Sequence, residues 1–375
     1  MLLLAVAMKP AEAQLRVAPA LASFVDLEGN IGLTRRTPLG VAPDQSVVLV
    51  DSKRDGLYKL SADLSNLRRV GRKGSGPGEY LRITSFGWRA DTLWVSDNGN
   101  ARITYVDAFG RGRVRSQPFL VGVTSDAFTT EPLALTPDGA AICGLLTNAG
   151  RGGATLPYTE PMLRFPLAAT ARWDTLMLLD VRHRRHRYQV GKLYLSGEEL
   201  MSDATLWALS RNGKFAAKVD RSDDALRRQE PPLLTLLHTD GRVLHRAQLP
   251  NPRERVTRSD VNKLVAEAVA AFNSEVRPDW IPDLSTAAYE TGMFVPFYRI
   301  SAVDIVLGDD GTILLRGNDW NGNGVNYTWF NPQGTIRGTF TLPVKQIVRA
   351  VSGNSIWSIA EVRDGEVRLI KQNVY

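Results

Sequence analysis

The chain has 375 residues, of which 43% are hydrophobic and 23% are charged, a composition typical of a globular protein. One cysteine excludes an internal disulfide, and the sequence contains no apolar run of about 20 residues, so no membrane-spanning helix is expected. The net charge of +7 comes mostly from arginine, and no aromatic residues alternate with the basic clusters, so we expect no nucleic-acid partner.

The first thirteen residues predict a signal peptide. A short apolar run at the start is followed by Ala11-Glu12-Ala13, which fits an Ala-x-Ala cleavage site. The run is short and no Lys or Arg precedes it, and a true start codon further upstream would explain both departures. We therefore expect residues 14–375 to be exported to the periplasm or the extracellular space. A cytoplasmic location is the alternative if this segment is not a signal.

From residue 37 the chain repeats a unit of about four short strands every ~40–50 residues, which is typical of β-propeller blades. Complete units cover residues 37–71, 71–116, 132–179, 206–247 and 305–341. Asp-Gly or Asn-Gly pairs recur at the same place in these units, and they predict the primed hairpin turns that match strand twist. The pairs are Asp138-Gly139, Asn212-Gly213, Asp240-Gly241 and Asp310-Gly311.

The last unit, residues 347–374, is one strand short, while a spare strand-like segment lies near the N-terminus at Leu21–Asp26. We predict that this N-terminal segment completes the C-terminal blade, because that arrangement closes the ring and removes its unpaired sheet edges. The sequence therefore predicts an all-β fold, in which residues 14–375 form one six-bladed β-propeller.

Three segments do not follow the repeat. Residues 252–278 predict a helix that Thr257 or Ser259 can cap, since apolar residues recur at helical spacing and a proline ends the segment. Its apolar stripe predicts packing on the propeller flank or over one mouth, and a lid or a partner-docking helix is the alternative. Residues 147–161 and 180–203 are expected to be long polar loops.

The second of these loops contains the dense basic cluster Arg182–Arg187. Such a cluster is usually a solvated loop, and the alternative is a contact with an anionic surface such as polysaccharide or phospholipid headgroups. His183 and His186 belong to the cluster, and the neighbouring arginine charge disfavours cation binding by them.

The stretch from residue 71 to residue 110 resembles the NHL-type repeat. Residues 74–80 match its glycine-rich start, residues 95–103 match its Val-x-Asp-x-x-Asn-x-Arg-Ile pattern, and residues 107–110 match its closing Asp-x-x-Gly. The Gly-Pro-Gly-Glu version at 76–79 is similar to exported bacterial six-bladed propellers of the TolB-like superfamily. The match covers about one blade in six, and it implies a propeller while leaving the function open.

The same stretch supplies the predicted ligand site. In a four-stranded up-and-down blade, the glycine loop and the turn between strands two and three share one face, where propellers usually bind. The candidate residues on this face are Arg72, Lys73, Glu79, Asp97, Asn100 and Arg102. The resemblance implies a structural role for the last three, because Asp and Asn cap tight turns and arginine pairs across strands. The cations and the loop amides predict an anionic or hydrogen-bonding ligand.

One loop has part of a calcium-binding pattern. Asp319, Asn321 and Asn323 occupy positions one, three and five of an oxygen-ligand loop, but the twelfth position is Phe330 instead of glutamate. A hairpin rich in asparagine and glycine is the main interpretation, and weak calcium binding is the alternative. No other cofactor is expected.

The leading functional hypothesis is a monomeric, non-enzymatic propeller that binds a protein partner or a cell-envelope ligand on its glycine-loop face. The alternative is a metal-assisted hydrolase or lyase, similar to propeller lactonases, with its site at the propeller axis. Residues that point into the channel from the start of each innermost strand discriminate between them. Three or more converging Asp, Glu, Asn or His would favour the enzyme.

Overall fold

The computed structural model describes residues 13–26, 29, 31–51, 53–107, 114–118, 128–147, 159–166, 173–250, 254–276, 280–300, 302–318, 324–362 and 365–375. These residues form six sheets of four or five strands arranged around an axis, one two-stranded hairpin, and one helix longer than two turns. The predicted fold class, an all-β six-bladed propeller with one inserted helix, is confirmed.

The chain begins with β1 (Ala22–Val25), which joins the last blade, and then forms three blades in order. Blade 1 consists of β2 (Leu39–Val41), β3 (Val47–Val50), β4 (Leu57–Leu60) and β5 (Leu67–Lys73), and the short β6 (Glu79–Tyr80) is added in parallel. Blade 2 consists of β7 (Ile83–Arg89), β8 (Thr92–Asp97), β9 (Arg102–Asp107) and β10 (Val114–Pro118). Blade 3 consists of β11 (Phe128–Leu135), β12 (Ala140–Thr147), β13 (Thr159–Pro166) and β14 (Asp174–Asp180).

A separate hairpin of β15 (Arg185–Val190) and β16 (Leu193–Glu198) precedes the other three blades. Blade 4 consists of β17 (Leu206–Leu209), β18 (Phe215–Asp220), β19 (Leu233–His238) and β20 (Val243–Gln248). Blade 5 consists of β21 (Asp304–Leu307), β22 (Ile313–Arg316), β23 (Val325–Phe330) and β24 (Ile336–Leu342). Blade 6 consists of β25 (Gln346–Ser352), β26 (Ser355–Glu361), β27 (Val367–Asn373) and β1.

The N-terminal strand closes the ring, as the short last unit predicts. β1 pairs antiparallel with β27, and Ala22 lies opposite Lys371 while Val25 lies opposite Arg368. Further upstream, the Leu15 amide donates to the Thr339 carbonyl of blade 5 at 2.7 Å. The N-terminal segment therefore joins two blades as well as completing one.

The cores of the propeller lie between neighbouring blades. The short strand β3 is buried along its whole length because both of its faces pack against other blades. Between blades 1 and 2, for example, Val48 and Leu57 pack in one cluster with Phe86 and Trp88. The alternation of apolar and polar residues that marks a half-exposed strand is therefore weak in this sequence.

The Asp-Gly and Asn-Gly turns differ from the primed turns that the sequence predicts. A type I′ turn needs positive φ at both central residues, whereas only the glycine of each pair has it, as in Gly139 (φ 91°) and Gly311 (φ 89°). The Gly139 amide donates to the Thr136 carbonyl, so the four-residue turn ends at the glycine, which is not one of its two central residues. Longer hairpin loops with glycine in the left-handed region match strand twist equally well.

Two insertions form a small subdomain, called the cap below, from residues 180–203 and 254–300. The expectation that the first insertion is a polar loop is wrong, because residues 185–198 form the hairpin β15–β16. The second contains α2 (Arg258–Ala271), which continues as a turn of π-helix to Val276, and the short α3 (Thr286–Glu290). The short helix α1 (Asp223–Arg227) of blade 4 lies on the same side of the ring as these two insertions.

The cap is held by its own apolar core. Thr257 caps α2 through a reciprocal hydrogen-bonded box with Asp260. Val261, Val265 and Val269 then pack in one cluster with Tyr188 and Val190 of the hairpin, Tyr289 of α3 and Leu284 just before α3. Both insertions leave the ring where one blade leads to the next, so the cap stands on the face that also carries the glycine loop, called the connection face below.

Candidate functional site

An axial cavity of about 830 Å³ is lined by the innermost strands of all six blades. Its lining residues include Leu39, Ser85, Leu133, Trp207, Asp304 and Arg349, one from each blade. Residues at these innermost-strand positions are the ones expected to discriminate between a binding protein and an enzyme. The cavity is the candidate site because a concave space with a few converging polar groups is what small ligands use.

The first turn of blade 4 crosses the propeller axis at the end of the channel opposite the connection face. The Arg211 carbonyl accepts from the Trp88 amide at 2.7 Å, and its guanidinium donates to the carbonyls of Phe86 (3.1 Å) and Leu39 (3.2 Å). The guanidinium carbon also lies 4.5 Å from the centre of the Phe86 ring, a cation–π distance. Blades 1, 2 and 4 are thus tied together across the axis.

This crossing requires a residue without a side chain in blade 2. A Cβ atom on Gly87 would lie 2.1 Å from the Arg211 carbonyl oxygen, closer than any side chain allows. Burial lowers the pKa of Arg211 to about 10, and the charge of Asp309 opposes that shift. The guanidinium therefore stays charged at neutral pH, as a cation buried in the channel.

A half-buried carboxyl group lies at the connection end of the channel. Asp304 is the first residue of β21 and accepts a hydrogen bond from the Ile305 amide at 2.8 Å. Burial raises the pKa of Asp304, and the charges of Arg349 and Arg316 oppose this effect. Glu198, at the base of the cap hairpin, raises this pKa further.

Positive charge exceeds negative charge along the cavity. The charged lining residues among those the structure describes are Arg89, Arg211, Lys214, Arg349, Asp304 and Asp309. Arg349 is half-buried and makes no hydrogen bond or ion pair with the described part of the chain. The same part of the chain contains no group of three His, Cys, Asp or Glu residues that could hold a metal ion. The arrangement is suited to an anionic ligand with an apolar body.

The residues predicted for the glycine-loop site do come together on the connection face. Arg72 pairs with Glu79 at 2.9 Å, and Lys73 pairs with Asp55 at 3.1 Å. The Glu79 carboxylate also accepts from the Gly76 amide at 2.8 Å. Both cations are largely exposed, yet each already has a carboxylate partner within the protein.

The other three predicted residues hold the glycine loop on blade 2. Asp97 is fully buried and accepts hydrogen bonds from the amides of Leu81 and Arg82. Asn100 donates to Asp97 and to the Gly74 carbonyl, while Arg102 donates to the carbonyls of Ser75, Gly76 and Glu79. This is the structural role that the repeat resemblance implies for them. Their role in ligand binding stays a prediction.

The predicted calcium ligands Asp319, Asn321 and Asn323 lie outside the described residues. Phe330, at the twelfth position of that pattern, is a buried residue at the end of β23. The calcium hypothesis therefore stays a prediction.

The channel residues were not found from the sequence. Arg211 precedes the Asn212-Gly213 pair, but nothing in the repeat indicates that this turn, unlike the others, crosses the axis. Asp304 and Arg349 are single charged residues at strand positions, and only the assembled ring brings them to one channel.

The comparisons with known proteins show no family for this chain. No protein-family model and no curated protein sequence matches this chain. Among solved structures, an exported-protein candidate from Bacteroides fragilis is 10% identical, with a TM-score of 0.47 over 98% of this chain and 97% of that chain. Virginiamycin B lyase from Staphylococcus aureus is 9% identical, with a TM-score of 0.41 over 95% of this chain and 99% of that chain. PQQ-bound aldose sugar dehydrogenase from Streptomyces coelicolor is 12% identical, with a TM-score of 0.43 over 97% of this chain and 100% of that chain. Likeness at this level carries no conclusion about activity.

No helix within the described ranges combines the length and apolarity that crossing a membrane would require.

Proposed function

We propose that this chain is an exported, non-enzymatic propeller of the NHL or TolB-like kind that binds a small anionic ligand in its axial cavity. The ligand enters from the connection face, because the Arg211 turn crosses the axis at the opposite end. That face is the one on which the glycine-loop motif predicts binding. Export rests on the Ala-x-Ala pattern at residues 11–13, and the family on the repeat at residues 71–110.

The observation that carries this proposal is the unpaired Arg349 guanidinium at the cavity wall. The half-buried Arg349 guanidinium has no hydrogen-bonded partner within the described residues, and the charge of Asp304 acts on it only through space. An anionic ligand would supply the missing partner. Trp207 of blade 4 and Val348 of blade 6 provide apolar surface for the body of such a ligand.

The enzyme alternative depends on Asp304. A carboxyl group with a raised pKa in a cavity is a candidate general acid or base. Asp309, the other acidic lining residue, accepts from the Asn212 amide and is occupied in fixing the Arg211 turn. We therefore favour binding.

The test uses anilinonaphthalene sulfonate, a fluorescent probe with one anionic group and an apolar ring system. We expect saturable 1:1 binding, weakened at least about tenfold by Arg349→Ala, because a desolvated charge pair contributes about 1.4 kcal/mol or more. Asp304→Asn should strengthen binding, because it removes a negative charge beside the sulfonate. Near-UV circular dichroism of each variant must match the wild type, since partly unfolded proteins also bind this probe.

The matched control is the double variant Arg72→Ala with Lys73→Ala, which removes two cations from the same face but outside the cavity. It should bind the probe as the wild type does. If this double variant loses binding while Arg349→Ala keeps it, the ligand site is the glycine loop and the axial proposal is wrong.

Calcium binding by Asp319, Asn321 and Asn323 remains a second, separate proposal that rests on their spacing alone. A chelator should lower the melting temperature of the wild type, and Asp319→Ala should remove that response. A wild type that is indifferent to chelator would leave a simple hairpin.

A further inference from the structure

One histidine and one glutamate lie within the mainly apolar core of the cap. The His186 side chain is completely buried, and Glu199 is 6% exposed. His186 belongs to β15, and Glu199 immediately follows β16, so both stand on the hairpin insertion. They face the second insertion, which supplies α2 and α3.

Each of the two side chains bonds to the backbone of the second insertion. The Nε2 atom of His186 contacts the carbonyl oxygen of Tyr289 in α3. The Oε2 atom of Glu199 accepts from the Phe294 amide at 3.0 Å. The pair thus connects the two insertions at two points.

The hydrogen bonds of His186 and Glu199 to the backbone leave no donor between the two side chains. A carbonyl oxygen only accepts, so the neutral imidazole of His186 must carry its hydrogen on Nε2. Its Nδ1 atom then presents a lone pair to Glu199 Oε2, 3.7 Å away. His186 Nδ1 and Glu199 Oε1 are both buried without a hydrogen-bond partner among the described residues. Two acceptors that face each other in a dry interior are unfavourable unless a proton lies between them.

We propose that His186 and Glu199 share one proton that latches the cap hairpin to α3, and that the cap loosens when this proton is lost. A carboxylic acid on Glu199 can donate to Nδ1 while Nε2 keeps its bond to Tyr289. When the carboxyl group ionises, the buried pair retains two acceptors and no donor between them. The latch is a property of the cap, and it does not depend on ligand binding in the axial cavity.

The surroundings contain two tyrosine rings and also the ion pair His183–Asp203, whose imidazole stacks on the Phe294 ring. The Tyr188 ring of β15 lies 5.6 Å and the Tyr289 ring of α3 lies 5.0 Å from the His186 ring. α2 contributes Val261, Val265 and Val269 to the same core. Burial raises the pKa of Glu199, and the Phe294 amide and His186 oppose that shift.

The raised pKa of Glu199 determines how the stability of the closed cap changes with pH. A group whose pKa is higher in the closed cap than in the open one stabilises the closed cap when protonated. That stabilisation is present in acid and is lost as the pH rises through the raised pKa of Glu199. Loosening would also move Glu198, the neighbour of Glu199 that acts on Asp304, so the channel mouth would respond.

Hydrogen–deuterium exchange of the whole protein tests the latch between about pH 4.5 and about pH 8, above the ordinary pKa of a glutamate. After correction for intrinsic exchange rates, exchange of residues 185–198 and 286–297 should rise at least about tenfold in the wild type. A tenfold change corresponds to a difference of about one unit between the pKa of Glu199 in the closed cap and in the open cap. Glu199→Gln should abolish the rise, because its amide donates to His186 Nδ1 at every pH. Glu267→Gln, an exposed carboxyl group on α2, should behave as the wild type.

The proposal is overturned if Glu199→Gln shows the same pH profile as the wild type, or if the wild-type profile is flat. Should Glu199→Gln fail to fold, nuclear magnetic resonance of the wild type decides. The His186 Nδ1 and Glu199 carboxyl signals must titrate together, and independent titration of Glu199 near pH 4.3 would equally overturn the latch.

Discussion

The glycine loop of blades 1 and 2 and the cap stand on the same face of the ring, but they are held there in different ways. The loop has almost no core of its own, and its shape is set by side chains such as Asp97 and Arg102 that bond its backbone. The cap has a cluster of buried apolar residues around Val265 and a buried polar pair, His186 and Glu199. In the glycine loop the motif residues thus stabilise the fold, whereas the cap contains no recognisable motif.

This difference shows where function is to be sought in a repeat protein. The motif at residues 71–110 is used to build its blade, because Asp97, Asn100 and Arg102 hydrogen-bond the nearby backbone. Features that occur once are free to differ, and in this chain they are the Arg211 turn across the axis and the cap. Our functional proposals accordingly rest on the single features.

The largest effect is expected from a truncation that opens the ring on which both regions stand. Deleting residues 14–34 removes β1 from its pairing with β27 and exposes a sheet edge. The truncated protein should aggregate or lose its thermal transition in scanning calorimetry. A monomer with an unchanged melting temperature would show that the ring closes without its N-terminal strand.

In the glycine loop, Asp97→Ala should cost about 3 kcal/mol of unfolding free energy, because buried amides of Leu81 and Arg82 lose a charged acceptor. Asp97→Asn keeps one acceptor oxygen and should cost roughly half as much. Urea denaturation measures both values. Equal, small effects for the two variants would mean that the loop holds its shape without the carboxylate.

In the cap, Val265→Ala removes two methyl groups from a core residue that is 1% exposed and should cost about 2 kcal/mol. We expect the loss to appear as faster hydrogen exchange in the cap, while exchange in the blades is unchanged. Faster exchange in blade 4 or blade 5 as well would mean that cap and ring unfold as one unit, and the comparison between them would fail.

The smallest effect is expected for Arg72→Ala with Lys73→Ala. The two side chains are 72% and 69% exposed and form surface ion pairs, which contribute little in water. The unfolding free energy should change by less than about 1 kcal/mol. A loss comparable to that of Asp97→Ala would place these cations in the structural framework of the loop.

Much of the ring could be predicted because each blade repeats a local pattern. The strand runs, the short last unit and the spare N-terminal strand specify six blades and their closure without knowledge of distant contacts. The glycine loop also follows from local sequence, since Asp97, Asn100 and Arg102 lie within 30 residues of the backbone they bond.

The segment 180–203 shows what local sequence could not decide. Its arginines and histidines read as a solvated loop, yet every second residue of β15 is buried because a helix some 70 residues away covers that side. The partner surface that turns this hairpin from loop to strand is absent from its own sequence. Secondary structure there depends on tertiary packing.

The sequence by itself thus determined the blade count, the ring closure and the inserted helix, because periodicity and turn residues act over short distances. Only the tertiary structure decided which charges meet at the axis. Arg211, Asp304 and Arg349 come from three different blades, and their charges act on one another only once the ring has brought them to one channel.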